Sequence, residues 1–211
     1  MSLTKFYTVP RVYIRGFYPV IKDYSDRVLG FSLLLGLTPL FLTTAILIKL
    51  TSRGPVIYKQ KRLTVGNNVF TIYKFRTMYQ NSESTTGAVW AKNNDPRVTF
   101  IGQYLRKYRI DELPQLVNVI RGDMSLIGPR PERPEMIGSL TKVFPSFNKR
   151  HLVKAGITGL AQTTCTYANC HRTYRKKLAH DLLYVKNRCL LLDLRIAAKT
   201  LLVVLTGSGA K

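Results

Sequence analysis

The chain has 211 residues, and its 33 Lys and Arg against 11 Asp and Glu give a formal net charge of +22. This length suits one domain with an anchor, and so large a cationic excess calls for an anionic partner: nucleic acid, an anionic membrane surface or phosphorylated substrates. Three cysteines, Cys165, Cys170 and Cys189, give no sign of a disulfide framework or a zinc site and point to a reducing, cytoplasmic side.

Residues 1–21 mix aromatic and basic side chains (Phe6, Tyr7, Tyr13, Arg15, Phe17, Tyr18) and read as an interfacial segment or a tail that settles on headgroups. No charge then falls between Arg27 and Lys49. The apolar run Val28–Ile48, about 21 residues at ~1.5 Å each, just covers a ~30 Å hydrocarbon core. Its middle carries Thr38-Pro39, and a proline there removes an N–H and crowds the Leu35 carbonyl. Basic residues flank both ends, so charge places both ends on the cytoplasmic face. Residues 22–50 are therefore expected to form a re-entrant helix bent at Thr38-Pro39. A straight span with a tolerated proline and a buried core helix are the competing readings. No signal-peptide cleavage pattern follows the run.

Residues 51–211 form the expected cytoplasmic or interfacial catalytic domain. Ser52-Arg53-Gly54-Pro55 is a breaker, Val56–Lys61 a strand, and Val65-Gly66-Asn67-Asn68-Val69 a hairpin turn. The returning strand, Val69–Met78, puts Lys74 and Arg76 on one face. Residues 80–96 are polar and loop-like. Arg97–Ile110 predicts an amphipathic helix with Phe100, Ile101, Tyr104, Leu105 and Tyr108 on one face. Asp111–Arg121 predicts a second, with Pro114 in its first turn and Gly122 as its stop. Gly128-Pro129-Arg130-Pro131 reads as a rigid loop, Glu132–Leu140 as a short helix, and Gly156-Ile157-Thr158-Gly159 as a turn. Leu178–Val185 and Leu190–Leu205 read as helices, the last lying on the core or in the membrane interface. The fold class expected is α+β and mostly helical: a re-entrant membrane helix, interfacial amphipathic helices and a small β-hairpin.

Acids are scarce, and Asp111-Glu112 is the only adjacent pair. One reading makes them an N-cap and a first-turn acid. The other uses the same helix end and the nearby arginines to keep a carboxylate ionised as a nucleophile or Mg²⁺ ligand.

The segments IYKFRTM (72–78), YLRKYRIDELPQLVNVIRGDMSLIGPRPERPE (104–135), VKAGITGLAQ (153–162), DLLYVKN (181–187) and LLLDLRI (190–196) resemble the bacterial sugar transferases. These monotopic phosphoglycosyl transferases move a phosphosugar from a nucleotide sugar to polyprenyl phosphate. The resemblance covers residues 22–205. It implies Asp111 as the nucleophile, carrying a phosphosugar ester in a ping-pong scheme and touching Mg²⁺. Glu112 is implied as the second member of the dyad. Lys74, Arg106 and Arg130 match basic positions at the site, with Arg130 locked between Pro129 and Pro131 as a phosphate clamp; Arg76 ranks lower. Thr38-Pro39 falls where the family has Ser-Pro at the re-entrant break. After Gln162 the family's Val-Asn-Gly-Arg-like stretch is missing, so either Arg172 substitutes for its arginine or the sugar or nucleotide preference has changed. The PRPERPE loop looks more like the hexose-phosphate-transferring members.

The implied partners are a nucleotide sugar with UDP as its nucleotide, polyprenyl (undecaprenyl) phosphate and the cytoplasmic face of the inner membrane. The reading excludes nucleic acid, leaves room for a homodimer, and gives the enzyme a role in initiating glycoconjugate or exopolysaccharide assembly. Two other classes compete: a basic nucleic-acid binder, and a non-catalytic scaffold of a polysaccharide assembly complex. His171 and His180 are read as surface residues, and Lys107 as solvated surface.

Overall fold

A computed structural model describes residues 17–80, 95–165 and 171–207. Pro19, whose missing N–H is no loss in a first turn, opens α1 (Tyr18–Gly36), and Pro39 does the same for α2 (Thr38–Thr51). Leu37 alone separates the two helices, and their axes bend by 62° at that break. The Thr38 hydroxyl donates to the Leu34 carbonyl at 3.0 Å, tying the break to the helix behind it. Among the described residues no single helix is long and apolar enough to cross a membrane, but α1 and α2 meet that test together. α1 starts before the expected boundary at residue 22, and residues 1–16 lie outside the description.

The hairpin pairs β1 (Ile57–Leu63) with β2 (Val69–Phe75), antiparallel, Tyr58 opposite Lys74. Its connection holds Gly66 and Asn67 at positive φ, as the turn signal predicts. Along β2 the alternation buries Phe70 and Ile72 against Val119 and Met124, and the same parity turns Lys74 inward. The ladder ends at Phe75, so Arg76 lies just past the strand.

α3 (Phe100–Lys107) is capped by the Thr99 hydroxyl, which accepts from Gly102 N at 3.0 Å. Its expected apolar stripe is divided. Leu105 is buried with Ile48 and Phe75, whereas Phe100 and Tyr104 are 66% and 51% exposed. The predicted helix Asp111–Arg121 is not continuous. Ile110–Gln115 is a 3₁₀ turn, and α4 begins only at Leu116 and runs to Arg121. Glu112 N closes an i→i+3 bond on Arg109 O, so the segment enters as a tighter 3₁₀ turn. Gly122 stops α4 at φ 86, as expected; a Cβ there would sit 2.4 Å from the Arg27 guanidinium of α1.

Residues 156–158 are not a turn but β4 (Gly156–Thr158), paired in parallel with β3 (Ser125–Ile127). Strands this short carry no readable alternation. Gly156 makes the pairing feasible, since a Cβ on it would fall 2.0 Å from Gly128 N. α5 (Pro134–Val143) begins after Glu132, at its own first-turn proline. A 3₁₀ turn (Phe147–Leu152) and α6 (Leu160–Thr164) precede α7 (His171–Asn187) and α8 (Leu190–Thr206). Leu192 and Ile196 of α8 pack with Ile127, Leu160 and Tyr184, while Leu194, Leu201, Leu202 and Leu205 stay exposed. One side of α8 is core and another is bare hydrocarbon. Polar contacts hold the start of α1 to this body. The Tyr18 hydroxyl donates to Asp193 at 2.5 Å, Lys22 pairs with Asp193 at 2.7 Å, and Asp26 accepts from Ser125 at 2.5 Å.

Candidate active site

Asp111 and Glu112 sit in the 3₁₀ turn behind Arg109, which holds a left-handed conformation (φ 55). Glu112 N bonds back to Arg109 O at 3.1 Å. Both carboxylates are buried, 9% and 6% exposed. Lys74 reaches in from β2 and Arg130 from the loop after β3, and both grip Glu112. Lys74 Nζ donates to Oε1 at 2.9 Å, Arg130 Nη2 to Oε1 at 2.5 Å and Arg130 Nη1 to Oε2 at 3.1 Å. Planar, two-pronged recognition of this kind is what arginine provides and lysine does not.

No hydrogen bond or ion pair holds the Asp111 carboxylate among the described residues. Burial, and then the charge of Glu112, push its carboxyl up to about 6, against the pull of Lys74, Arg106 and Arg130. The sequence led us to expect a helix N-terminus and arginines holding it firmly ionised. Neither operates fully, because the α-helix begins at Leu116 and the cations bond elsewhere. At neutral pH the group is nonetheless a carboxylate. Glu112 goes the other way: burial opposes its charge, but Arg130 and Lys74 outweigh it and hold the carboxyl well below the usual range. Two adjacent acids with opposed environments are the pattern from which distinct chemical roles follow.

The other expected residues divide. Arg106 Nε donates to the Thr77 hydroxyl at 2.9 Å, which leaves its charge beside Asp111. Arg76 does not share the Lys74 site. Its Nη2 donates to Ser52 O at 2.8 Å and Ser52 Oγ at 2.7 Å, packed over Gly54, just past the end of β2. Arg172 lies within α7, and its side chain falls outside the description, as does that of His171. His180 is buried rather than on the surface, with Nδ1 2.8 Å from Lys176 O.

A second cluster went unread in the sequence. Glu132 accepts from Tyr174 Oη at 2.9 Å and Lys177 Nζ at 2.7 Å, and Arg150 pairs with Asp181 at 2.7 Å. The available signal was an acid directly following Pro-Arg-Pro in a chain poor in acids.

Asp111 offers both oxygens, and no group of three His, Cys, Asp or Glu able to hold a metal ion is present among the described residues. A Mg²⁺ ion held by one carboxylate, with substrate phosphates and water completing its shell, fits this donor set. A caged all-protein site does not.

The chain matches the family model described as bacterial sugar transferase over residues 17–207. It is 47% identical to the UDP-N-acetylgalactosamine-undecaprenyl-phosphate N-acetylgalactosaminephosphotransferase of Aeromonas hydrophila, across 92% of this chain and 46% of that one. It is 38% identical to the UDP-glucose:undecaprenyl-phosphate glucose-1-phosphate transferase of Xanthomonas campestris, across 90% and 40%. It is 39% identical to an exopolysaccharide production protein of Rhizobium leguminosarum, across 90% and 98%. The chain thus spans less than half the length of the first two and nearly all of the third.

Proposed function

The chain belongs to the bacterial sugar transferase family, and from that membership we propose that it transfers a sugar-1-phosphate from a UDP-sugar to undecaprenyl phosphate, by way of a phosphosugar ester on Asp111. The observation that carries the reading is the contrast within the dyad. One buried carboxylate is clamped by Lys74 and Arg130, and its neighbour is left unbonded among the same cations.

In the first step an Asp111 oxygen attacks the sugar-linked phosphorus. The Asp–O–P bond forms, the phosphoanhydride bond breaks, and UMP departs with the bonding electron pair. In the second step an oxygen of undecaprenyl phosphate attacks the same phosphorus, a new phosphoanhydride forms, and the Asp111 carboxylate is released. Phosphoryl transfer asks mainly for positioning and charge neutralisation. Arg130, Lys74 and Arg106 are placed to supply these, with Glu112 holding the first two in register. Mg²⁺, bound by Asp111 and the substrate phosphates, would neutralise charge on those phosphates.

The α1–α2 pair is read as a re-entrant anchor on the cytoplasmic face of the inner membrane. In support, both legs return to one body: Asp26 and Gly30 of α1 are buried against β3 and α4, and Ile48 of α2 packs with Phe75 and Leu105. Exposed apolar side chains of α3 and α8 would rest at the headgroup level, where a soluble nucleotide sugar meets a lipid-borne phosphate. The names of the relatives make N-acetylgalactosamine and glucose the first sugars to try.

The deciding experiment incubates the membrane-bound protein with UDP-N-acetylgalactosamine or UDP-glucose and Mg²⁺, without acceptor. UMP release and a phosphosugar mass adduct on the peptide containing Asp111 are expected. Absence of an adduct together with full turnover by Asp111→Asn overturns the nucleophile assignment.

A further inference from the structure

Four consecutive backbone carbonyls of the loop that carries Arg130 are each bonded to a distant partner. Pro129 O accepts from Gly156 N at 2.9 Å, and Glu132 O from Leu63 N at 3.0 Å. Between them, Arg130 O accepts from Arg150 Nη2 at 2.7 Å and Pro131 O from Arg62 Nη1 at 3.1 Å. Prolines contribute no N–H, so this segment has few donors of its own. Two guanidinium groups do the work that a neighbouring strand does elsewhere.

Arg150 is the more informative of the two. Its side chain is 1% exposed and lies over the Phe147 ring, 5.1 Å from the centroid. The nitrogen that grips Arg130 O also donates to Asp181 Oδ2 at 2.7 Å. Nη1 stands 3.5 Å from Glu132 Oε1. Arg150 is not the only cation that neutralises Glu132, because Lys177 also donates to that carboxylate, as does the Tyr174 hydroxyl. Nor is a buried ion pair by itself a strong source of stability, since apolar packing of equal volume does as well. What Arg150 alone contributes is a charge-assisted bond to the backbone of the residue that holds Glu112.

We propose that Arg150, anchored by Asp181, is a positioning residue of the transfer reaction: by holding the Arg130 carbonyl it aims the Arg130 guanidinium at Glu112 and at the place the substrate phosphate will occupy. This rests on the reading of Arg130 as a phosphate clamp. It predicts coupling that a purely structural arginine would not show, because Arg150 then acts only through Arg130.

The test is a double-mutant cycle on the full chain in membranes. Arg150→Lys, Arg130→Met and the double variant are assayed for UMP release with UDP-N-acetylgalactosamine or UDP-glucose and undecaprenyl phosphate, with Tm measured in parallel. A displaced clamp of this kind costs about 100-fold, and the loss should fall on kcat more than on KM. The double variant should be no slower than Arg130→Met alone. If Arg150→Lys does not fold, Arg150→Met combined with Asp181→Leu, which replaces the buried pair as a whole by apolar side chains, takes its place in the cycle. Multiplicative losses, or losses that follow Tm and recover on cooling, overturn the proposal while leaving the clamp intact. An unimpaired Arg130→Met overturns the clamp reading itself, and the proposal with it.

Discussion

Asp111 and Glu132 are both carboxylates buried among cations near the loop that carries Arg130, and their protons behave in opposite ways. Burial raises each. At Glu132 the charges of Lys177 and Arg150 and the Lys177 hydrogen bond outweigh that cost and bring the carboxyl down to about 2. At Asp111 burial wins, helped by Glu112, and the carboxyl rises to about 6. Both have cationic neighbours. The difference lies in where those neighbours spend their hydrogen bonds. Lys74 and Arg130 bond Glu112, and Arg106 bonds Thr77, so Asp111 feels their charge without being held. A fold that only needed stability would treat both acids as it treats Glu132. In the proposed reaction the unbonded one is where a substrate would complete the arrangement.

Substituting one acid from each cluster should separate the two designs most sharply. Asp111→Asn should lower turnover on the order of 10⁴-fold or more. It should cost no stability at neutral pH, because it removes a buried charge that lacks a partner; a substantial drop in Tm would contradict that. Asp181→Asn should instead destabilise by about 3–5 kcal/mol, read by denaturant unfolding, since it strands the buried Arg150 guanidinium. Burial pushes the Asp181 carboxyl up and works against the Arg150 charge, yet Asp181 and Glu132 hold Arg150 above its ordinary value. On the Arg150 side of the 2.7 Å pair the charge is permanent, because a guanidinium keeps its proton.

Protonation offers a finer test. With its native value raised above the unfolded one, Asp111 adds stability that is complete below pH about 3.8 and is lost as pH rises through about 6. Activity runs the other way, since the attacking group must be ionised. The acid limb of kcat/KM should therefore lie near pH 6. Glu112→Gln should move that limb to lower pH while slowing turnover, because the neighbouring negative charge disappears and Lys74 and Arg130 are released. A limb that stays in place would show that burial alone sets it.

The smallest effect on catalysis is expected at Arg76. Its bonds run to Ser52 at the end of α2, so Arg76→Lys should cost about 1–3 kcal/mol of stability and leave KM for the nucleotide sugar within about twofold. A large rise in KM would return Arg76 to the phosphate site.

Much of this was legible in the chain. The charge-free run from Val28, the proline at position 39, the turn at Gly66-Asn67 and the stop at Gly122 are local signals, and local sterics enforce them wherever the segment sits. The long segment around Asp111-Glu112 identified the family for the same reason, as contiguous residues. The structure alone decided that Lys74 reaches Glu112 and Arg76 reaches Ser52. It also paired β3 with β4, and gave Glu112 rather than Asp111 the hydrogen bonds of both cations. Those outcomes depend on side chains far apart in sequence competing for the same partner. That competition is settled by distance and angle in three dimensions, and no spacing along the chain records who wins it.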